Sequence, residues 1–304
     1  MTAAAPELKG LWPPVSTPFA DDGSVAFDKL IGHSRALLEE GATGLAILGT
    51  TSEANSLTLD ERRQVIDAHI EAGIPASRLL PGTGACAIDD VVALTRHAGE
   101  LGVAAVLLLP PFFYKGVPDE GLFAFVARVI ERAGPRVPRI MLYYIPQVAG
   151  VGWSNGVVAR LIEAFPGLVV GMKDSSGDAD HTRDVLATFK DFVVFPGAEV
   201  YLLSALQQGA RGCISATANV NARGIATLIE QFRGPDAQAM QDEINAARIA
   251  VQSRGLIPAT KAVLAARYAD RGWLNMRPPL LPLAEDVRAA LVADPAIVPL
   301  TSRR

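Results

Sequence analysis

Leu168-Val169-Val170-Gly171-Met172-Lys173-Asp174-Ser175-Ser176-Gly177 is the stretch from which the chain is best read. A short apolar, β-branched run closed by Ser-Ser-Gly has the pattern of a buried strand, and a helical pattern over His181–Phe189 follows it. The same unit recurs along the chain. Strands are predicted near Trp12–Thr17, Gly44–Leu48, Leu79–Thr83, Ala104–Leu109, Ile140–Ile145, Val169–Lys173, Val193–Pro196 and Gly212–Ala216. Helical periodicity fills the intervals at Asp28–Glu40, Leu59–Ala72, Asp89–Leu101, Pro118–Arg132, Asn155–Ala164, His181–Phe189, Glu199–Gln208 and Asn221–Phe232. Start signals support several of these: Thr58 precedes Glu61 as in a capping box, and Asp119 and Glu120 follow Pro118. Eight strand–helix units predict an α/β fold, a (β/α)8 TIM barrel with its active site at the C-terminal ends of the strands. An open doubly wound sheet shares the alternation, but the count of eight favours closure.

Beyond Arg233-Gly234-Pro235 the pattern turns to helices alone: Asp236–Arg254, Pro258–Ala269 and Ala284–Val292, interrupted at Pro278-Pro279. The expected division is therefore a barrel over 1–233 that carries the active site and a C-terminal helical extension over 234–304. The apolar faces of these helices require a partner surface, either the barrel or another subunit, which points to a homo-oligomer.

Composition narrows the function classes. Of 304 residues 50% are hydrophobic, enough for a large core, and 28 Lys and Arg against 32 Asp and Glu leave a net charge of −4. With no long run of either sign, neither nucleic acid nor an anionic membrane is an expected partner. The start, Met1-Thr2-Ala3-Ala4-Ala5-Pro6-Glu7, does not read as a signal peptide. The apolar stretch from Val103 to Phe113 is broken by Pro110-Pro111 and is too short to span a bilayer. Cys86 and Cys213 make neither a disulfide framework nor a metal pattern. A soluble cytoplasmic protein is the expectation.

Chemistry concentrates at the predicted strand ends. Burial disfavours a charged ammonium, and a neutral amine at Lys173 is a nucleophile toward ketones, the first step to a Schiff base. The alternative is a stem that carries its ammonium out to water or to Asp174. Tyr143-Tyr144 ends the preceding strand; period-two alternation sets Met141, Tyr143 and Ile145 on one face and Leu142 and Tyr144 on the other. Only one tyrosine therefore faces the barrel mouth, where a phenol can shuttle protons. Gly49-Thr50-Thr51-Ser52-Glu53 offers hydroxyls and free amides that suit a carboxylate, or else a plain βα turn. Pro196-Gly197-Ala198-Glu199 brings a carboxylate toward the same mouth, or a glutamate placed for a helix dipole. Gly82-Thr83-Gly84-Ala85-Cys86-Ala87 lacks the third glycine of a dinucleotide turn. His33, His69, His97 and His181 fall within helices without metal-ligand spacing.

Together these segments, with Tyr143-Tyr144-Ile145-Pro146, Gly171-Met172-Lys173-Asp174 and Ile214-Ser215-Ala216-Thr217-Ala218-Asn219-Val220, resemble the dihydrodipicolinate synthase and N-acetylneuraminate lyase family of class I aldolases. The resemblance runs from about Gly10 to the C-terminus. It implies a (β/α)8 barrel with a helical extension, usually a homotetramer, that needs no cofactor and no metal. It also implies catalytic roles for Lys173, Tyr143 and Thr50: Lys173 forms a Schiff base with the keto carbon of a 2-oxo acid, and Tyr143 transfers protons. Thr50 and Thr51 would hold the pyruvyl carboxylate, and Gly197, Glu199 and Ile214 would complete the substrate-binding set. Departures restrict the substrate. The synthases carry an arginine two positions after the tyrosine motif's proline, where this chain has Val148, and a relay tyrosine where it has Phe113 between Phe112 and Tyr114. The positions of a lysine-feedback site read Arg62, Cys86, Asp90 and Phe112, a different pattern. Glu199 aligns instead with a carboxylate that accepts hydrogen bonds from a polyol in the sialic acid lyases. The expected reaction is aldol cleavage or dehydration of a 2-keto-3-deoxy sugar acid, with dihydrodipicolinate synthesis as the alternative and a catalytically silent ligand-binding barrel as a reading from another class.

Overall fold

A computed structural model describes residues 7–302; the stretch Met1–Pro6, read above as no signal peptide, lies outside the described residues. Six segments satisfy a regular strand ladder: β1 Gly10–Leu11, β2 Val106–Leu108, β3 Ile140–Tyr144, β4 Val169–Asp174, β5 Val193–Pro196 and β6 Gly212–Cys213. The strands β2-β3-β4-β5 pair in parallel in that order, and β1 pairs in parallel with β6.

The ring is completed by two less regular staves. Ala46 donates to the Pro13 carbonyl at 2.9 Å, Leu80 to Leu45 at 2.8 Å, Gly82 to Ile47 at 2.8 Å, and Leu107 to Pro81 at 2.9 Å. At the other seam Ile214 donates to Pro196 at 3.1 Å and Trp12 to Cys213 at 2.9 Å. All eight expected staves are present, and the barrel closes. The first regular strand is Gly10–Leu11 rather than Trp12–Thr17, because Pro13 and Pro14 have no N–H to continue the ladder. Pro81 interrupts the third stave for the same reason.

Alternation divides each strand between two cores. Leu107, Met141, Phe195 and Ile214 point inward with Trp12, Ala46, Leu80 and Ala105 and fill the barrel. Val106, Leu108, Ile140, Leu142 and Met172 face outward onto the helices. Small residues make room for the large ones: a Cβ on Gly44 would stand 2.2 Å from the Trp12 ring. The helices around the barrel are α1 Phe27–Glu39, α2 Leu59–Glu71, α3 Ile88–Leu101, α4 Asp119–Ala133, α6 Asn155–Ala164, α7 Ala179–Thr188, α8 Leu202–Gln207 and α9 Ala218–Gln231, with the Thr58–Glu61 capping box formed at the start of α2. A short helix, α5 Pro146–Ala149, was not anticipated from periodicity; it is a single turn begun by Pro146 at the end of β3.

The tail forms α10 Ala237–Gln252, α11 Leu256–Arg267 and α12 Glu285–Val292. Its apolar faces find their partner within the chain: Val251, Val263, Leu264, Trp273, Leu291 and Ile297 pack together with Val220 of α9. The first tail helix also reaches the C-terminal end of β5. Gln241 accepts from the Leu203 amide and donates to the Glu199 carbonyl, both at 2.7 Å. Large apolar side chains left exposed are Phe113, Tyr114 and Val148 on the barrel and Ile249, Leu281 and Val298 on the tail.

Candidate active site

The parallel register of β3 and β4 sets Tyr143 directly beside Lys173 and Tyr144 beside Asp174. Lys173 and Tyr143 are each only 3% exposed, and the Lys173 amine lies 4.2 Å from the centre of the Tyr143 ring. The Tyr143 hydroxyl meets the Thr50 hydroxyl at 3.2 Å. Trp153 anchors this strand end by donating its indole N–H to the Tyr143 carbonyl at 3.1 Å. The structure thus gathers the amine, the phenol and the threonine hydroxyl in one place.

Thr50 and Thr51 occupy the middle of a tight turn. Ser52 and Ala54 donate to the Gly49 carbonyl at 3.1 and 3.2 Å, Glu53 donates to the Thr50 carbonyl at 3.1 Å, and Leu48 and Glu53 take left-handed backbone angles of +60° and +55°. Among the described residues the Thr50 and Thr51 amides and the Thr51 hydroxyl have no hydrogen-bond partner. Consecutive amides left open in such a turn form a concavity that attracts an anion.

The neighbouring face carries a second polar cluster that sequence reasoning did not find. Tyr144 turns away from Lys173 and stacks on His181, with ring centroids 4.4 Å apart and 12° between planes. The His181 ring pairs through Nδ1 with the buried Asp174 carboxylate at 2.8 Å, and Thr182 donates to the same oxygen at 2.6 Å. Burial acts to raise the Asp174 pKa, but the hydrogen bonds from His181, Thr182 and the Ser176 amide outweigh it and hold it below the usual carboxylate value. His181 is shifted upward, chiefly by that hydrogen bond to Asp174. The signal available was an Asp and a His seven positions apart across a strand–loop–helix turn, which no periodicity rule pairs.

Of the remaining expected site residues, Gly197 stands where a Cβ would meet the Ser175 hydroxyl at 1.9 Å, so only glycine fits. Ile214 is buried in the barrel interior. Glu199 lies at the start of the turn Glu199–Tyr201, and its carboxylate is engaged rather than open: Arg248 of α10 reaches it at 3.1 Å, and Ser215 donates to the same oxygen. The other carboxylate oxygen, Oε1, is buried without a hydrogen-bond partner in the chain. Arg248 also reaches the Ser215 hydroxyl at 2.9 Å. Val148 and Phe113 are 60% and 71% exposed. Arg62 is buried and donates to the Gly82 and Gly84 carbonyls at 2.8 and 3.1 Å, with burial pushing its pKa down to about 10. Among the described residues no group of three His, Cys, Asp or Glu side chains could hold a metal ion, and no helix is long and apolar enough to cross a membrane. A cavity of about 710 Å³ lies at the opposite end of the strands, beside Gly10, Val193 and Arg211, away from this chemistry.

A closed (β/α)8 barrel with a lysine–tyrosine pair at the strand ends defines the class, and comparison with known proteins defines the family. The profile of the "Dihydrodipicolinate synthetase family" matches residues 7–296. The chain is 34% identical to an uncharacterized DapA-like lyase of Chloroflexus aurantiacus, covering 94% of this chain and 96% of that one. It is 31% identical to a 4-hydroxy-tetrahydrodipicolinate synthase of Thermus thermophilus, covering 93% and 94%. The crystal structure of dihydrodipicolinate synthase from Agrobacterium tumefaciens superposes with a TM-score of 0.87 at 32% identity, over 96% of this chain and 99% of that one. The chain belongs to the dihydrodipicolinate synthetase family and is an enzyme of the lyase class.

Proposed function

We propose that the protein is a Schiff-base lyase that cleaves or dehydrates a 2-keto-3-deoxy sugar acid or a related 2-oxo acid, with Lys173 as nucleophile and Tyr143 as proton carrier. The observation that carries this reading is the buried amine beside the Tyr143 ring, with the phenol hydrogen-bonded to Thr50. The turn amides of Thr50 and Thr51 receive the substrate carboxylate, which brings the keto carbon to the amine. The Lys173 amine adds to C2, and Tyr143 protonates the departing hydroxyl so that water leaves and an iminium forms. The iminium draws the electron pair of the C3–C4 bond as that bond breaks. Tyr143 takes the C4 hydroxyl proton as the aldehyde departs and returns a proton to C3 of the enamine. Hydrolysis of the imine then releases pyruvate and restores the amine. Elimination of water from C3 and C4 of a hydroxylated substrate is the alternative fate of the same iminium.

The distal half of the substrate is the point at which Val148 and Phe113 matter. An uncharged Val148 gives no fork for a second carboxylate, and Phe113 has no hydroxyl. Glu199 keeps one buried oxygen unpartnered, an acceptor for a substrate hydroxyl. A panel of 2-keto-3-deoxy sugar acids, scored separately for pyruvate release and for water loss, tests the reading. Turnover of at least one member is expected, and none from the whole panel rejects it.

The second reading, 4-hydroxy-tetrahydrodipicolinate synthesis, is favoured by the function named for the Thermus relative. Efficient condensation of pyruvate with aspartate semialdehyde would select it. We assign the protein to the cytoplasm and to a homo-oligomer, a tetramer or dimer, the latter because Phe113, Tyr114 and Val148 leave apolar surface open near the barrel mouth.

A further inference from the structure

Lys261 lies in the middle of α11, far along the chain from every residue given a role above, and it is fully buried. Its amine pairs with the Glu53 carboxylate, which is buried as well. It also donates to the Asn275 carbonyl at 2.8 Å and rests 4.5 Å from the centre of the Phe19 ring. Arg277 lies against the same ring at 4.8 Å, donates to the Ser56 carbonyl at 2.7 Å and binds Glu61. Two cations of the tail therefore grip the two ends of one short segment, Glu53 to Glu61.

That segment begins where the Thr50–Thr51 turn ends. Glu53 closes the turn through its own amide, in a left-handed conformation that a non-glycine residue adopts only when its surroundings hold it there. Thr17 fixes the turn from the other side by donating to the Ser52 carbonyl at 2.7 Å. A buried ion pair adds little net stability over an apolar pair of the same volume. It does impose one geometry, since each charge tolerates no position but the one beside its partner. Burial lowers the Lys261 pKa, and Glu53 acts against that shift.

We propose that Lys261 is a positioning residue for the carboxylate cradle: through Glu53, the helical tail sets the Thr50–Thr51 turn in the shape that receives the carboxylate of the 2-oxo acid. The tail is then part of the binding site rather than a support packed against it. The proposal rests on the reading of the turn under Proposed function.

The test uses the full-length protein and two ketone probes, pyruvate and hydroxyacetone, which lacks the carboxylate. Borohydride traps the adduct on Lys173, and its dependence on probe concentration gives the affinity. The double variant Lys261→Met with Glu53→Gln removes both charges at similar volume. It is expected to raise the half-saturating pyruvate concentration about tenfold, because a small displacement of a positioning group weakens binding sharply. Trapping of hydroxyacetone should be unchanged, and trapping by pyruvate at saturation should remain complete. Equal weakening for both probes, or unchanged pyruvate affinity, overturns the proposal. Should the double variant not fold, Arg277→Lys carries the test, with the same selectivity at about two- to fivefold and the same contrary outcomes. Failure of the unmodified protein to trap pyruvate on Lys173 would remove the reading of the site and the proposal together. Wild-type trapping with no selective loss in the variants removes the proposal alone.

Discussion

Replacing Tyr143 with phenylalanine separates chemistry from architecture at the site. The ring stays, so its contact with the Lys173 amine and its buried packing are retained. One hydrogen bond is lost, the 3.2 Å contact to Thr50. A single neutral hydrogen bond contributes about 0.5–1.5 kcal/mol to stability, so unfolding should shift by no more than that. Loss of a positioned proton carrier is far larger at the transition state, about 10²–10⁴ in kcat, or roughly 3–5 kcal/mol. Tyr144→Phe is the matched control. Its ring stacks on His181 on the other face of the strand, and its hydroxyl makes no hydrogen bond among the described residues. Steady-state turnover on the substrate identified from the panel, with denaturant unfolding of both variants, reads the two effects side by side. A Tyr143→Phe enzyme with near-normal kcat, or equal impairment from Tyr144→Phe, would refute the assignment of roles.

Arg248→Met should destabilise the protein by about 3–5 kcal/mol, since it leaves the buried Glu199 carboxylate without its cation; adding Glu199→Gln should restore much of the loss in urea titrations, and a second variant as unstable as the first would contradict this. Gly44→Ala should cost about 1–3 kcal/mol by overpacking against Trp12, and unchanged unfolding would show that the barrel floor gives way easily. The upward shift of His181 means that its proton is held more tightly in the folded state. Its contribution is therefore full below an unfolded value of about 6.5 and is lost as pH rises through the raised folded value. The melting-temperature advantage of the wild type over His181→Gln should shrink as the pH rises above about 6.5; a constant or growing advantage would show that the Asp174 pairing contributes nothing through that proton.

Much of the fold was legible because the barrel repeats one local pattern. Runs such as Val169 to Lys173 carry their burial in their own composition, and the Thr58–Glu61 box marks a helix start within four residues. Boundaries failed where backbone donors were absent, at Pro13-Pro14 and Pro81, since hydropathy does not register a missing N–H. The lysine, the tyrosine pair and the threonine turn could be singled out because each sits at a strand end. Alternation also gave the opposite facing of Tyr143 and Tyr144 that the structure displays. What stayed hidden was pairing across distance. Arg248 meets Glu199, and Lys261 meets Glu53 from 208 positions away, the difference of the two numbers. Charged residues on a tail helix read as a solvated face until the fold shows which carboxylate they cover. The apolar faces of that tail likewise left open whether their partner was the barrel of the same chain or another subunit.

The central claim is that the Lys173 amine bonds covalently to the keto carbon of the substrate. Peptide mapping after incubation with pyruvate and borohydride addresses it directly. The account predicts irreversible loss of activity with the adduct confined to the peptide that contains Lys173, and no turnover in Lys173→Ala. Full activity after that treatment with Lys173 unmodified would contradict it.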